Sequence, residues 1–423
     1  MKSSLLAVLG GASTALAAVK GFNYASQGQT YDSFVSQFKT AASLAGTSDF
    51  TSARLYTMIQ EGTTNTPSSA FQAALDTNTT LLLGLWASED QDTFNNELSA
   101  LQSAISQYGS AWADLVVGIS VGSEDLYRIS PTGIAANSGV GQSPDVLVSY
   151  IGQVRSAIQG TALGSKPVGH VDTWNVYVNG SNAEVISNCD FLGLDEYPYF
   201  QTTDSNGIDN EGFLFFQAYD RVAAVAQGKP IWITETGYPV SGPTSNLAVP
   251  GVDAAEEYWQ AVACALENRG IDFWWYILND EGASPSFGVS NNGQPLYNLA
   301  CNSTAGYTST SSSNSSTPAT SSKGSNSTST WHNGSGSSTT PSAGSASATE
   351  SSSPGGTSVA AETGSLASGS NGAASAAATA TATATQNGAS TTSASSSFTG
   401  AASRVEGSMA GLAIGAVAAA LLL

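Results

Sequence analysis

Eight short runs of apolar, β-branched and aromatic residues recur along the chain as far as Cys301, beginning near Gly21, Ala53, Thr80, Leu115, Pro167, Cys189, Pro230 and Asp272. Glycine, proline, asparagine and serine bound these runs, as they bound strands. Between most of them the apolar spacing changes to a helical repeat. Phe34 and Phe38 stand at i, i+4 within Tyr31 to Leu44, and Val146, Tyr150, Ile151, Val154 and Ile158 mark one face of Asp145 to Ile158. Gly160, Gly228 and Gly270 fall where helices would end. The unit after Val178 has only Ala183 to Ile186 to offer, so a degenerate helix is expected there. Strands alternating with helices predict an α/β architecture with a parallel sheet.

From Ser303 onward the pattern stops. Ser, Thr, Ala and Gly dominate, with Ala and Thr alternating from Ala378 to Thr385, and a core cannot be built from such residues. Residues 303–399 therefore read as a disordered, Ser/Thr-rich glycosylated stalk. Residues 1–18 read as a secretory signal peptide: Lys2, an apolar stretch through Leu5, Leu6, Val8 and Leu9, then the small-residue site Ala15-Leu16-Ala17. At the other end Met409 to Leu423 is apolar but shorter than the roughly 20 residues a membrane span requires. With the polar spacer Ser403 to Ser408 and the small residues Gly400, Ala401 and Ala402 before it, the segment 400–423 matches a GPI-attachment signal. Gly400 is the expected attachment residue, with Ser397 second. One folded domain, 19–302, is left. The protein is expected to be secreted and held at the outer face of the cell membrane through lipid alone, and in the cell wall.

The secretory route permits disulfides. Of the three cysteines, Cys264 and Cys301 would pin the chain end to the body, while Cys189 paired with either stays open. No CxxC or clustered histidine pattern occurs, so neither a metal site nor a cofactor is expected. The net charge of −20 lies wholly in the folded part: of 32 acids only Glu350, Glu362 and Glu406 fall outside it, and of 12 bases only Lys2, Lys323 and Arg404. Such a surface repels nucleic acid and anionic membranes and is indifferent to a neutral polysaccharide.

Two stretches carry candidate chemistry. In PIWITETGYP, Pro230 to Pro239, a buried run delivers Glu235 at the end of a strand. In VVGISVGSEDLYR, Val116 to Arg128, a second run exits through Gly122 and Ser123 to Glu124. Two strand-terminal glutamates are what glycoside hydrolysis requires, one as acid and one as nucleophile or base.

WITETGYP and VGSEDLYR resemble the two active-site motifs of glycoside hydrolase family 17, in particular its fungal cell-wall β-1,3-glucanases. The resemblance spans roughly Ala18 to Cys301. It implies a (β/α)8 TIM barrel, with Glu124 as acid/base after the fourth strand and Glu235 as nucleophile after the seventh. Ser123 stands where that family often has Asn, and Ile277 where it often has Glu.

Other residues at strand exits face the prospective groove: Asn23 and Tyr24, Arg54 and Tyr56, Trp86, Asp172 and Trp174, Asp195, Tyr197 and Tyr199, and Trp274, Trp275 and Tyr276. Pyranose rings present apolar faces that aromatic side chains can cover. Tyr24, Arg54, Trp86, Ser123, Trp174, Tyr197 and Trp275 are the expected substrate contacts. A lone arginine in a barrel mouth needs a carboxylate, and Glu235 is the expected partner of Arg54. His170 reads as a core or supporting histidine. Asn78, Asn179, Asn302, Asn314, Asn326 and Asn333 begin N-glycosylation sequons. The expected activity is that of a monomeric, retaining endo-β-1,3-glucanase acting on wall glucan. A β-1,3-glucanosyltransferase using the same glutamates, and a non-catalytic wall glycoprotein, are the rival readings.

Overall fold

Eight parallel strands close on themselves in sequence order, β8 returning to β1. They are β1 (Lys20–Asn23), β2 (Ser52–Arg54), β3 (Thr80–Leu85), β4 (Val116–Val121), β5 (Val168–Thr173), β6 (Leu192–Asp195), β7 (Ile231–Glu235) and β8 (Phe273–Trp275). This computed structural model describes residues 17–47, 49–280 and 282–301. Most of the expected signal segment, the stalk, the GPI signal with Gly400, and the sequons at Asn302, Asn314, Asn326 and Asn333 lie outside the described residues.

Helices α1 (Tyr31–Ser43), α2 (Ala70–Thr77) and α3 (Gln91–Leu115) follow the first three strands. The fourth exit carries two short helices, α4 (Asp125–Ile129) and α5 (Pro131–Ala135), before the return helix α6 (Pro144–Ile158). The fifth exit is the degenerate unit expected from the sequence: α7 (Trp174–Tyr177), a single 3-10 turn and α8 (Ala183–Asn188). Helix α9 (Ile208–Val225) follows β6, and α10 (Val252–Tyr258) runs through a π turn into α11 (Cys264–Arg269) after β7.

The local reasons are ordinary ones. Thr30 and Ser33 form a reciprocal capping box at the start of α1, and Pro144 opens α6, where its missing N–H costs nothing. The helices bury one face each, as with Phe34 and Phe38 of α1 or Leu147, Ile151 and Val154 of α6. Each such side chain contributes about 1.5–3 kcal/mol on leaving water. Inside the barrel, below the mouth, Phe191 stacks on Trp232 at 3.9 Å between ring centroids, and Trp274 stands 5.9 Å from Trp232.

The domain's end is fastened at the strand-entry side. Cys264 and Cys301 are joined by a disulfide. Trp259 Nε1 donates to the Leu299 carbonyl at 2.9 Å, and Gln260 Nε2 to those of Asn298 and Ala300 at 3.0 and 3.1 Å. Gly46, where the chain turns from α1 toward β2, approaches this segment so closely that a Cβ would lie 2.6 Å from the Ala300 nitrogen, and its φ of 94° also favours glycine. Close by, Lys20 at the start of β1 pairs with Asp49 and, at 3.0 Å, with Glu267. Cys189 is free and buried, and burial pushes its thiol up to about 12. Asn78 and Asn179 are exposed.

Candidate active site

Successive side chains on a strand point to opposite faces, so every second residue of each strand reaches the barrel interior. At the exit end this parity brings Asn23, Arg54 and Tyr56 together; on β7 a register shift against β6, between the Leu194–Ile233 and Asp195–Glu235 pairs, breaks the alternation and adds Glu235, with Ser123 and Tyr197 joining from the loops.

Glu235 is fully buried and held by three donors. Arg54 Nη1 and the Tyr56 hydroxyl reach Oε1, each at 2.6 Å, and the Tyr197 hydroxyl reaches Oε2 at 2.8 Å. The ion pair expected between Arg54 and Glu235 is therefore present. Arg54 also donates to Asn23 Oδ1 at 2.9 Å and, through Nη2, to Ser123 Oγ at 2.9 Å. Asn23 is fixed in turn by the carbonyls of Thr234 and Trp274. One guanidinium thus ties the exits of β2, β4 and β7.

The fourth exit turns sharply. Gly122 has φ of 79°, and a Cβ there would lie 2.1 Å from Asp125 Oδ2. Glu124 is itself left-handed, φ 58° and ψ 26°, an uncommon conformation for a glutamate that is retained where surrounding structure over-determines it. Its N–H donates to the Val171 carbonyl at 2.9 Å, and its carbonyl accepts from Arg128 N at 3.0 Å. Burial pushes the Glu124 carboxyl well above the ordinary range. The Arg128 guanidinium, 3.9 Å away, opposes this, while Glu235, Asp195 and Asp172 add to it. A buried carboxyl that keeps its proton, beside a second one gripped by donors, can give a proton while the other attacks.

Asp195, at the end of β6, accepts from Thr234 Oγ1 at 2.6 Å and lies 3.8 Å from Arg54. Burial and the charge of Glu235 push it up to about 8, against Arg54 and Thr234. Trp86 and Trp174 are half-buried, each with one guanidinium over its ring: Arg128 at 4.9 Å and Arg221 at 4.7 Å.

Two expected contacts are corrected. Tyr24 is buried edge-on against Phe38 of α1 at 4.9 Å, and Trp275 is sealed against Trp259 at 4.8 Å and Tyr258 at 5.7 Å. Both fill the layer between barrel and helices, because each stands one place out of phase with an inward residue. Their inward neighbours are Asn23 and Tyr276, the ring of the latter 5.9 Å from Tyr197; Tyr56, which the sequence places at an exit without a role, reaches Glu235 from β2's exit. Asp172 does not face the groove either. It accepts the N–H groups of Leu126 and Tyr127 at the start of α4.

Residues 21–290 match a family model described as the BtgE/BtgC glycoside hydrolase domain. A probable glucan endo-1,3-beta-glucosidase of Aspergillus fumigatus is 52% identical over 303 residues, covering 69% of this chain and 67% of that protein. Another from Aspergillus oryzae is 53% identical over 311 residues, covering 71% of this chain and 66% of its own. A solved glycoside hydrolase family 17 β-1,3-glucanosyltransferase from Rhizomucor miehei shares the fold with a TM-score of 0.54 at 25% identity, over 67% of this chain and 98% of that one.

Proposed function

The chain belongs to the BtgE/BtgC glycoside hydrolase family, and on that premise we propose that it is a retaining endo-β-1,3-glucanase of the cell wall, with Glu235 as nucleophile and Glu124 as acid/base. The observation that carries the reading is the contrast between the two glutamates: one gripped by three donors, the other buried and pushed toward its protonated form. In the first step a Glu235 oxygen bonds to the anomeric carbon. The glycosidic C–O bond breaks, and the Glu124 proton goes to the leaving oxygen. In the second step water attacks the same carbon, giving its proton back to Glu124, and the sugar–Glu235 bond breaks.

Arg54, Tyr56 and Tyr197 hold the nucleophile's orientation through both steps. Trp86 and Trp174 each offer the ring face not covered by arginine to a glucose unit.

The Rhizomucor relative supports a second reading, in which a sugar hydroxyl replaces water and the product is a longer glucan. Incubation with laminarin separates the cases. New reducing ends are expected; chain elongation without them would establish the transferase, and no change at all would leave a carbohydrate-binding wall protein. Secretion and GPI attachment near Gly400 form part of the proposal. Phospholipase release of the protein from cell membranes is its test, and retention would overturn it.

A further inference from the structure

The chain has two histidines, His170 and His332. His170, in the middle of β5, is fully buried, and both ring nitrogens face acceptors. Nδ1 lies 2.7 Å from the carbonyl oxygen of Val121, the last residue of β4. A carbonyl can only accept, so Nδ1 carries a proton. Nε2 lies 3.0 Å from Asp172 Oδ2. The Asp172 carboxyl already accepts three backbone N–H groups: Leu126 at 2.8 Å on Oδ2, and Thr173 at 2.9 Å and Tyr127 at 3.3 Å on Oδ1. The first and last of these lie just beyond Glu124, whose own N–H is held by Val171. Strand β5 therefore grips the Glu124 arm at three points, and His170 ties that grip to β4.

We propose that His170 is a buried imidazolium that positions Glu124, by fixing Asp172 against the amides of the α4 arm. A carboxyl loaded with amide donors on both oxygens serves Nε2 better as an acceptor than as a donor, so both ring nitrogens donate. The surroundings agree. Asp172 and Asp125 bring negative charge to the ring, while Tyr177 meets it edge-on at 6.4 Å and the Cys189 thiol stands nearby, both uncharged near neutrality. Burial opposes the cation, but Asp172, Asp125 and the Val121 carbonyl outweigh it, and the balance lies above the ordinary histidine value.

Glu124 needs such support, because a left-handed glutamate has no backbone preference for the place it occupies. Once pH rises past the imidazolium's pKa, Nε2 turns a lone pair toward Asp172 and the arm loosens. Proton donation to poor leaving groups then fails first. The positioning role rests on the acid/base reading of Glu124; the charge state of His170 does not.

Nitrogen-15 NMR of the full chain labelled at histidine reads the charge directly, since only two residues contribute signals. Two protonated ring nitrogens are expected to predominate at His170 at about pH 6.5, where an ordinary histidine is half protonated; a single one at that pH overturns the proposal. His170→Gln is expected to lower kcat on laminarin about tenfold to a hundredfold. It should largely spare a glucosyl fluoride, move the alkaline limb of the kcat profile, and add little to the loss in Glu124→Gln. Equal losses on both substrates with an unmoved limb would make His170 a packing residue and sink the positioning role. Laminarin activity retained by Glu124→Gln would overturn the acid/base reading and that role together, leaving the imidazolium to stand or fall by NMR.

Discussion

Arg54 Nη1 lies 2.6 Å from Glu235 Oε1 with both side chains sealed from solvent, and the other amino group of the same guanidinium reaches Ser123, the neighbour of Glu124. A planar fork can serve both exits at once, whereas an ammonium cannot. Arg54→Lys is therefore expected to lower kcat on laminarin about a hundredfold with little change in KM. Arg54→Ala should also destabilise the fold by about 3–5 kcal/mol, because it leaves a buried acid without its partner. Denaturation and kinetics on the purified variants check both; a lysine variant with wild-type kcat would refute the positioning argument.

The two glutamate amides should fail differently. Glu235→Gln cannot form the glycosyl-enzyme, so an activated fluoride should not restore it. Glu124→Gln should still form the intermediate from that fluoride and then stall for want of a base. Azide, which needs no deprotonation, should speed its turnover and leave a β-linked product. An α-linked azide product from Glu235→Gln would show the roles to be reversed.

Stability should fall as pH rises. Burial pushes Glu97 up to about 8, Asp195 up to about 8 and Glu211 up to about 9, while the ordinary glutamate value is 4.5. A carboxyl whose pKa is raised on folding costs nothing below its unfolded value, and its penalty grows from there up to the folded value. The melting temperature is thus expected to be highest near pH 5 and to decline toward pH 9. Neither oxygen of Glu211 has a hydrogen-bond partner among the described residues. Glu211→Gln should therefore gain on the wild type steadily across that range. A difference between the two that does not vary with pH would contradict this account.

The bridge between Cys264 and Cys301 closes a loop of 37 residues and is expected to contribute about 4 kcal/mol in the chain-entropy account. Cys301→Ser should lower the melting temperature accordingly and leave kcat untouched, since the bridge lies at the end of the barrel away from Glu124 and Glu235. A matching loss of kcat would tie the fastening to the site.

The strands were legible because their apolar runs are bounded by turn residues, and the two glutamates because each follows such a run. What the sequence hid was phase. Tyr24 and Tyr56, or Trp275 and Tyr276, look equivalent at a strand exit, and one residue of register decides which faces the barrel mouth and which faces a helix. Asp172 shows the other blind spot. Its partners are backbone amides of the preceding exit, and amides carry no signature in a sequence.

The fastening at residues 298–301 also gives the barrel a front and a back. The chain departs from the end where strands begin, while Glu124 and Glu235 open at the end where strands finish. A label or fused partner joined directly after Cys301 would therefore begin at the end of the barrel opposite Glu124 and Glu235.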